Sequence, residues 1–232
     1  MPTLLILNLA FFAGWVVNLA IDLIPTRRPL RQGWVIPLAR LAPDWFESRS
    51  WLESTRWQRL RTVMVWVLAG GLTWLAYRQV GIGLEMTALC LYAWFLLAVA
   101  FIDLEHRLVL NRMLLAGLPL LLFGGVTLGH PTVMLVSPPR LSPLIGAGVG
   151  FLFFLALALV WPGAMGMGDV KLAGWIGLAL GYPGILPALI IAIGSAGVAG
   201  LILLIAYRFR RGLTIAYAPY LSLGAIIVLF GW

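Results

Sequence analysis

Apolar stretches approaching the roughly 20 residues that cross a bilayer recur from one end of the chain to the other, separated by polar or Gly-Pro breaks. Eight can be marked: residues 4–24, 62–77, 84–102, 113–128, 144–161, 170–181, 185–207 and 214–232. Leu172 to Tyr207 carries no charge and is too long for one ordinary span; Gly181-Tyr182-Pro183-Gly184 divides it into two. The pattern predicts an all-α fold, a polytopic membrane bundle of about eight transmembrane helices. The sixth stretch is short. It would rise only ~18 Å at 1.5 Å per residue, against a hydrocarbon core of ~30 Å. Either that helix continues past Pro183, or Asp169 at its start is recessed in a water-accessible cavity.

Composition agrees with the pattern. Of 232 residues, 62% are hydrophobic and 10% charged, where a soluble domain carries about 25% charged. The net charge of +8 does not point to nucleic acid, because the charges cluster between apolar runs. They set orientation instead. The 25–61 segment carries eight arginines, and Arg107, Arg112, Lys171, Arg208, Arg210 and Arg211 fall on the same side of an eight-span chain. Of the sixteen basic residues, only Arg78 and Arg140 fall on the other. The positive-inside rule then places both termini outside and the basic connections in the cytoplasm. Residues 1–21 contain no Lys or Arg, so no cleavable signal peptide is expected there.

Neither an internal repeat nor a low-complexity tract interrupts the apolar pattern. Only residues 25–61 look soluble, and Trp34, Trp45, Trp51 and Trp57 among the arginines suggest a segment lying at headgroup level. Cys90, the one cysteine, sits in an apolar run. It excludes an internal disulfide and a cysteine-based zinc site, and reads as a packing residue.

Two carboxylates stand out. Asp103 closes the run Ala100-Phe101-Ile102, and Asp169 lies in Gly166-Met167-Gly168-Asp169-Val170-Lys171. A carboxylate at the edge of a hydrocarbon-spanning segment is costly and therefore a functional-site candidate. Both belong to the cytoplasmic face in the topology above. The glycines beside Asp169 remove side chains where a backbone or substrate could approach. Two carboxyls held together do not both ionise easily; one keeps its proton while the other acts as base toward a water. Such a site uses no metal, cofactor, serine or cysteine. A serine-histidine site is hard to assemble, since His130 lies on the outer side and His106 stands beside Asp103. The plain alternative is that Asp169 caps a helix. On the residues alone the two readings stand level.

Gly166-Met167-Gly168-Asp169-Val170-Lys171-Leu172 resembles the second active-site motif of the bacterial prepilin peptidases, GxGD-type aspartic proteases of the membrane. Phe101 to Asn111 resembles the first aspartate motif, residues 215–225 the C-terminal signature, and Phe12-Ala13-Gly14 through Asn18 the first helix. The resemblance implies Asp103 and Asp169 as the catalytic pair. It implies removal of the leader from type IV prepilins or pseudopilins at the cytoplasmic face, with a substrate helix entering from the bilayer. It further implies division into residues 1–80, a reduced methyltransferase-like region, and a six-helix protease core at 81–232. A basic leader meeting a basic face is awkward, so anionic lipid or Glu47, Glu53 and Glu105 are expected to help hold it.

The chain also departs from that pattern. Leu110 stands where the first motif has proline. The 25–61 segment lacks the two Cys-x-x-Cys pairs with which many members bind zinc and methylate the new N-terminus. No metal and no methyl transfer are therefore expected. Gly166, Gly168, Lys171, Asn111 and Pro219 are expected to bind substrate or shape the site. Lys171 would reach a backbone carbonyl, tune a neighbouring group or snorkel to the surface; Asn111 would cap the fourth helix; Pro219 would shape the eighth. Asp22 is expected to pair with Arg27 or Arg28, and Glu105 and His106 to be solvated. Three competing readings remain. One is a presenilin-like protease, although Asp103 follows Ile102 and not tyrosine. Another is a non-catalytic membrane subunit or scaffold, and the third a small transporter with a broken helix at 166–168.

Overall fold

The computed structural model describes residues 2–23, 56–106, 111–127, 141–161, 165–206 and 216–231. They form eight helices, with no strand among them: α1 (Pro2–Leu23), α2 (Arg56–Val80), α3 (Leu84–His106), α4 (Asn111–Thr127), α5 (Ser142–Val160), α6 (Met167–Leu180), α7 (Ile185–Ala206) and α8 (Ala218–Gly231). The all-helical membrane bundle expected from the hydropathy pattern is what forms. In hydrocarbon a helix satisfies its own backbone donors and acceptors, which open strands do not. Parts of α2, α3, α5 and α7 are long and apolar enough to cross a membrane, and α1 and α8 contain shorter apolar stretches. The outward surface is correspondingly apolar: Ile190, Leu159 and Val67 are about two-thirds exposed or more.

The two helices bearing the aspartates are the most enclosed. Of α6, all but four residues are buried; α3 packs against α1, α2, α4 and α8. This explains the short sixth element. It runs from Met167, three residues before the apolar stretch begins, to Leu180, and does not continue past Pro183. At 14 residues it rises ~21 Å, but with neighbours on every side it has no need to match the bilayer. Gly181 ends it at φ +66°, a left-handed conformation suited to glycine. Ser142 secures the turn: its Oγ donates to the Tyr182 carbonyl (2.9 Å) and accepts from the Tyr182 N–H (3.0 Å).

Helix association in lipid depends on close packing of small residues, and α5 and α6 illustrate it. A methyl on Gly177 would stand 2.1 Å from the Gly146 carbonyl oxygen, and one on Gly150 would stand 2.5 Å from the Ala173 carbonyl oxygen. Backbone thus meets backbone at both points. Between α3 and α6, aromatic side chains act as spacers: Phe95 stacks on Trp175 at 4.5 Å and Tyr92 meets the same ring edge-on. Tyr92 also donates to the Leu121 carbonyl, tying α3 to α4. Gly14 of α1 lies against Trp66, and buried Asn18 donates to the Gly14 carbonyl within α1. Cys90 is buried beside Ala76, Met86 and Leu89, the packing role expected of it.

Candidate active site

Asp103 lies in the last turn of α3 and is 4% exposed. Its Oδ2 accepts a hydrogen bond of 3.2 Å from the backbone N–H of Ala218, the first residue of α8. The first N–H groups of a helix have no partner within it and carry its positive dipole end, so a carboxylate is well matched there. Pro219 follows at once, half-buried. In the first turn its missing N–H costs nothing and its fixed φ suits the helix. It stands at the end of α8 that meets Asp103.

Asp169 occupies the third position of α6 and is 9% exposed. The residue at the N-cap is Gly166, in extended conformation and without a side chain of its own to cap the helix. The Asp169 carboxyl accepts a backbone hydrogen bond from Gly166, as an acidic residue at the third helical position does in a capping box; the Asp169 N–H bonds the Gly166 carbonyl at 3.1 Å, and its buried Oδ1 has no hydrogen-bond partner. The Asp103 and Asp169 carboxyls, on separate helices, lie near enough to influence each other electrostatically. Gly166 is exposed. A methyl there would lie 3.6 Å from Asp169 Oδ2, an ordinary contact. The fold itself leaves room for a side chain at 166, and that space borders the carboxyl. Gly168, one residue before Asp169, is half-buried.

Lys171 and Asn111 meet each other instead of the aspartates. Lys171 Nζ donates to Asn111 Oδ1 at 3.0 Å, with both residues exposed. Two residues along a helix is a rotation of roughly 200°, which turns Lys171 away from the Asp169 face. Among the described residues, the partner of Lys171 is the Asn111 side chain. Asn111 is the first residue of α4, and its side-chain oxygen accepts that bond.

The charged residue that sequence reasoning missed is Arg61. Read as one more loop arginine, it lies inside α2 and is 4% exposed. Its guanidinium bonds Asp22 of α1 at 2.8 Å and Glu105 of α3 at 3.0 Å. One expectation is corrected: Glu105 is only 13% exposed at its side chain and is ion-paired, not solvated. Asp22 has a structural ion pair, with Arg61, while Arg27 and Arg28 lie outside the described residues. The signal was faint, since nothing in the sequence separates Arg61 from Arg56 and Arg59. The His106 side chain, Glu47 and Glu53 also lie outside the described residues.

A groove of about 410 Å³ runs between α5, α7 and α8. Ala192, Ala196 and Gly200 of α7 line it, and it reaches Met165 and Tyr217. Those two residues immediately precede Gly166 and Ala218, on the segments that meet the two carboxyls. Among the described residues, no three His, Cys, Asp or Glu side chains are grouped to hold a metal ion.

No curated protein and no solved structure matches the chain. The model of one family, described as the type IV leader peptidase family, matches residues 90–205. That is half of the chain, from the middle of α3 to the end of α7, and both aspartates fall inside it. The bundle, its buried carboxyls and this match agree, and the chain belongs to the type IV leader peptidase family, with a leader-peptidase-like protease activity in general terms.

Proposed function

We propose that the protein is a multi-pass membrane aspartic endopeptidase that removes the leader of type IV prepilins or pseudopilins at the cytoplasmic face. The observation that carries this reading is the pair of buried, electrostatically interacting carboxyls, Asp103 and Asp169, on separate helices. Their surroundings differ in a way that suits a division of labour. Asp103 receives a backbone donor and serves as base, taking a proton from water as its oxygen bonds the scissile carbonyl carbon. Asp169 also accepts a backbone hydrogen bond, from Gly166, but its buried Oδ1 has no donor; it holds the proton and hydrogen-bonds the developing oxyanion. As the tetrahedral intermediate collapses, the C–N bond breaks and the proton gained by Asp103 passes to the leaving amine. The products are the leader's carboxylate and the free N-terminus of the mature chain. An apolar substrate helix would approach along the α5–α7–α8 groove, whose small residues permit close backbone contact.

The test is leader cleavage by reconstituted protein. Asp103→Asn and Asp169→Asn should each lower the rate at least ~10²-fold with insertion unchanged, and the double variant should be no worse than either single one. Full cleavage by either variant removes that residue from catalysis, and no cleavage by the parent protein leaves the scaffold reading. The same reading includes no methyl transfer. Purified protein should carry no stoichiometric zinc and should not methylate a freshly cleaved N-terminus in the presence of S-adenosylmethionine; a methylated product would refute that part alone.

A further inference from the structure

On the side of α6 bearing Lys171, α4, α5 and α6 line an open cavity of about 690 Å³. Its walls are apolar, with Leu114 and Leu118 from α4, Phe151 from α5, and Trp175 and Leu178 from α6. One end is different. There the Lys171 ammonium and the Asn111 amide stand joined at 3.0 Å, both exposed. An ammonium has three donors, and among the described residues Lys171 uses one. The Asn111 oxygen is occupied, which leaves its NH₂ to donate outward. From Lys171 the cavity follows α6 inward to Leu178, about 10 Å at 1.5 Å per residue.

A cation with spare donors at the mouth of an apolar slot matches an amphiphile with an anionic head. Size separates the candidates. Two turns of a helix with its side chains, ~10–12 Å across, displace on the order of 800–1,200 Å³, more than the cavity holds. A single hydrocarbon chain is slimmer, and the volume falls within the ~300–1,000 Å³ of sites that bury small ligands. Lys171 lies just past the first turn of α6, two residues after Asp169, where the orientation drawn from the basic residues puts the cytoplasmic headgroup layer. That leaflet is the one rich in anionic lipid. Gly148 keeps the slot open: it lines the cavity, and a methyl placed on it meets nothing within 4 Å.

We propose that the α4–α5–α6 cavity is a binding site for an anionic phospholipid, one acyl chain lying against Leu118, Phe151 and Trp175 and the phosphate held by Lys171 and Asn111. The site faces away from Asp169 and does not depend on the protease reading. Native mass spectrometry of the full chain tests it, with phosphatidylglycerol and phosphatidylcholine of identical acyl chains offered in equal amounts. The protein should retain one phosphatidylglycerol several-fold in preference to phosphatidylcholine. Lys171→Gln should abolish the preference, and Gly148→Leu, which fills the slot without touching the cation, should lower retention of the bound lipid itself. Helix content and thermal unfolding of both variants should match the parent. Equal retention of the two lipids by the parent overturns the proposal. So does a preference that survives Lys171→Gln, or retention unchanged by Gly148→Leu.

Discussion

Arg61 shows how much one side chain contributes to the setting of the site. It joins α1, α2 and α3 through Asp22 and Glu105, and Glu105 lies two residues beyond Asp103. Removing one partner of a buried ion pair leaves an uncompensated charge and costs about 3–5 kcal/mol. Arg61→Ala should therefore destabilise the protein by about that amount in detergent unfolding. Asp22 is more than half exposed, so Asp22→Asn should cost no more than about 1 kcal/mol; equal losses would show that Glu105 is not the principal partner. The residues of the site were unequally legible. Asp103 and Asp169 stood out because carboxylates are rare beside apolar runs. The Ala218 N–H did not, being a backbone group with no side-chain signature, and Arg61 was hidden among arginines of the same type.

Among the elements, the α5–α6 contact is the least tolerant of added volume. Gly177→Ala would press a methyl onto the Gly146 carbonyl and, as overpacking, cost about 1–3 kcal/mol. Because α6 carries Asp169, cleavage should fall as well. Gly194→Ala meets open space and should change neither unfolding temperature nor cleavage by a measurable amount. If the two variants behave alike, the close contact does not position α6. Hydropathy revealed the helices well, and the Gly181–Gly184 break lies where the pattern put it. It could not reveal which helices are central: α6 looked too short to span because its sequence does not say that other helices surround it. Nor does a charge in a connecting segment say whether a helix has already begun, as α2 has at Arg56.

The asymmetry of charge belongs to the molecule as a whole. The positive-inside rule would put both termini outside, Arg78 and Arg140 on the outer side and Arg107 in the cytoplasm. Cys90 is the only cysteine, so a Cys90→Ala background supports single-cysteine labelling. Arg78→Cys and Arg140→Cys should react with an impermeant maleimide added to intact cells, and Arg107→Cys only after permeabilisation. The reverse pattern would move both aspartates to the outer face and with them any leader the protein cleaves.

The bond between Asp103 and the Ala218 N–H joins two points 115 residues apart in the chain. Ribosomes make the protein in order, so both carboxyls are in place before the donor exists. At roughly 5–20 residues per second, the stretch from Asp169 to Ala218 takes several seconds to synthesise. On the proposed mechanism the carboxyl pair lacks this donor during that interval, so cleavage would await the synthesis of α8.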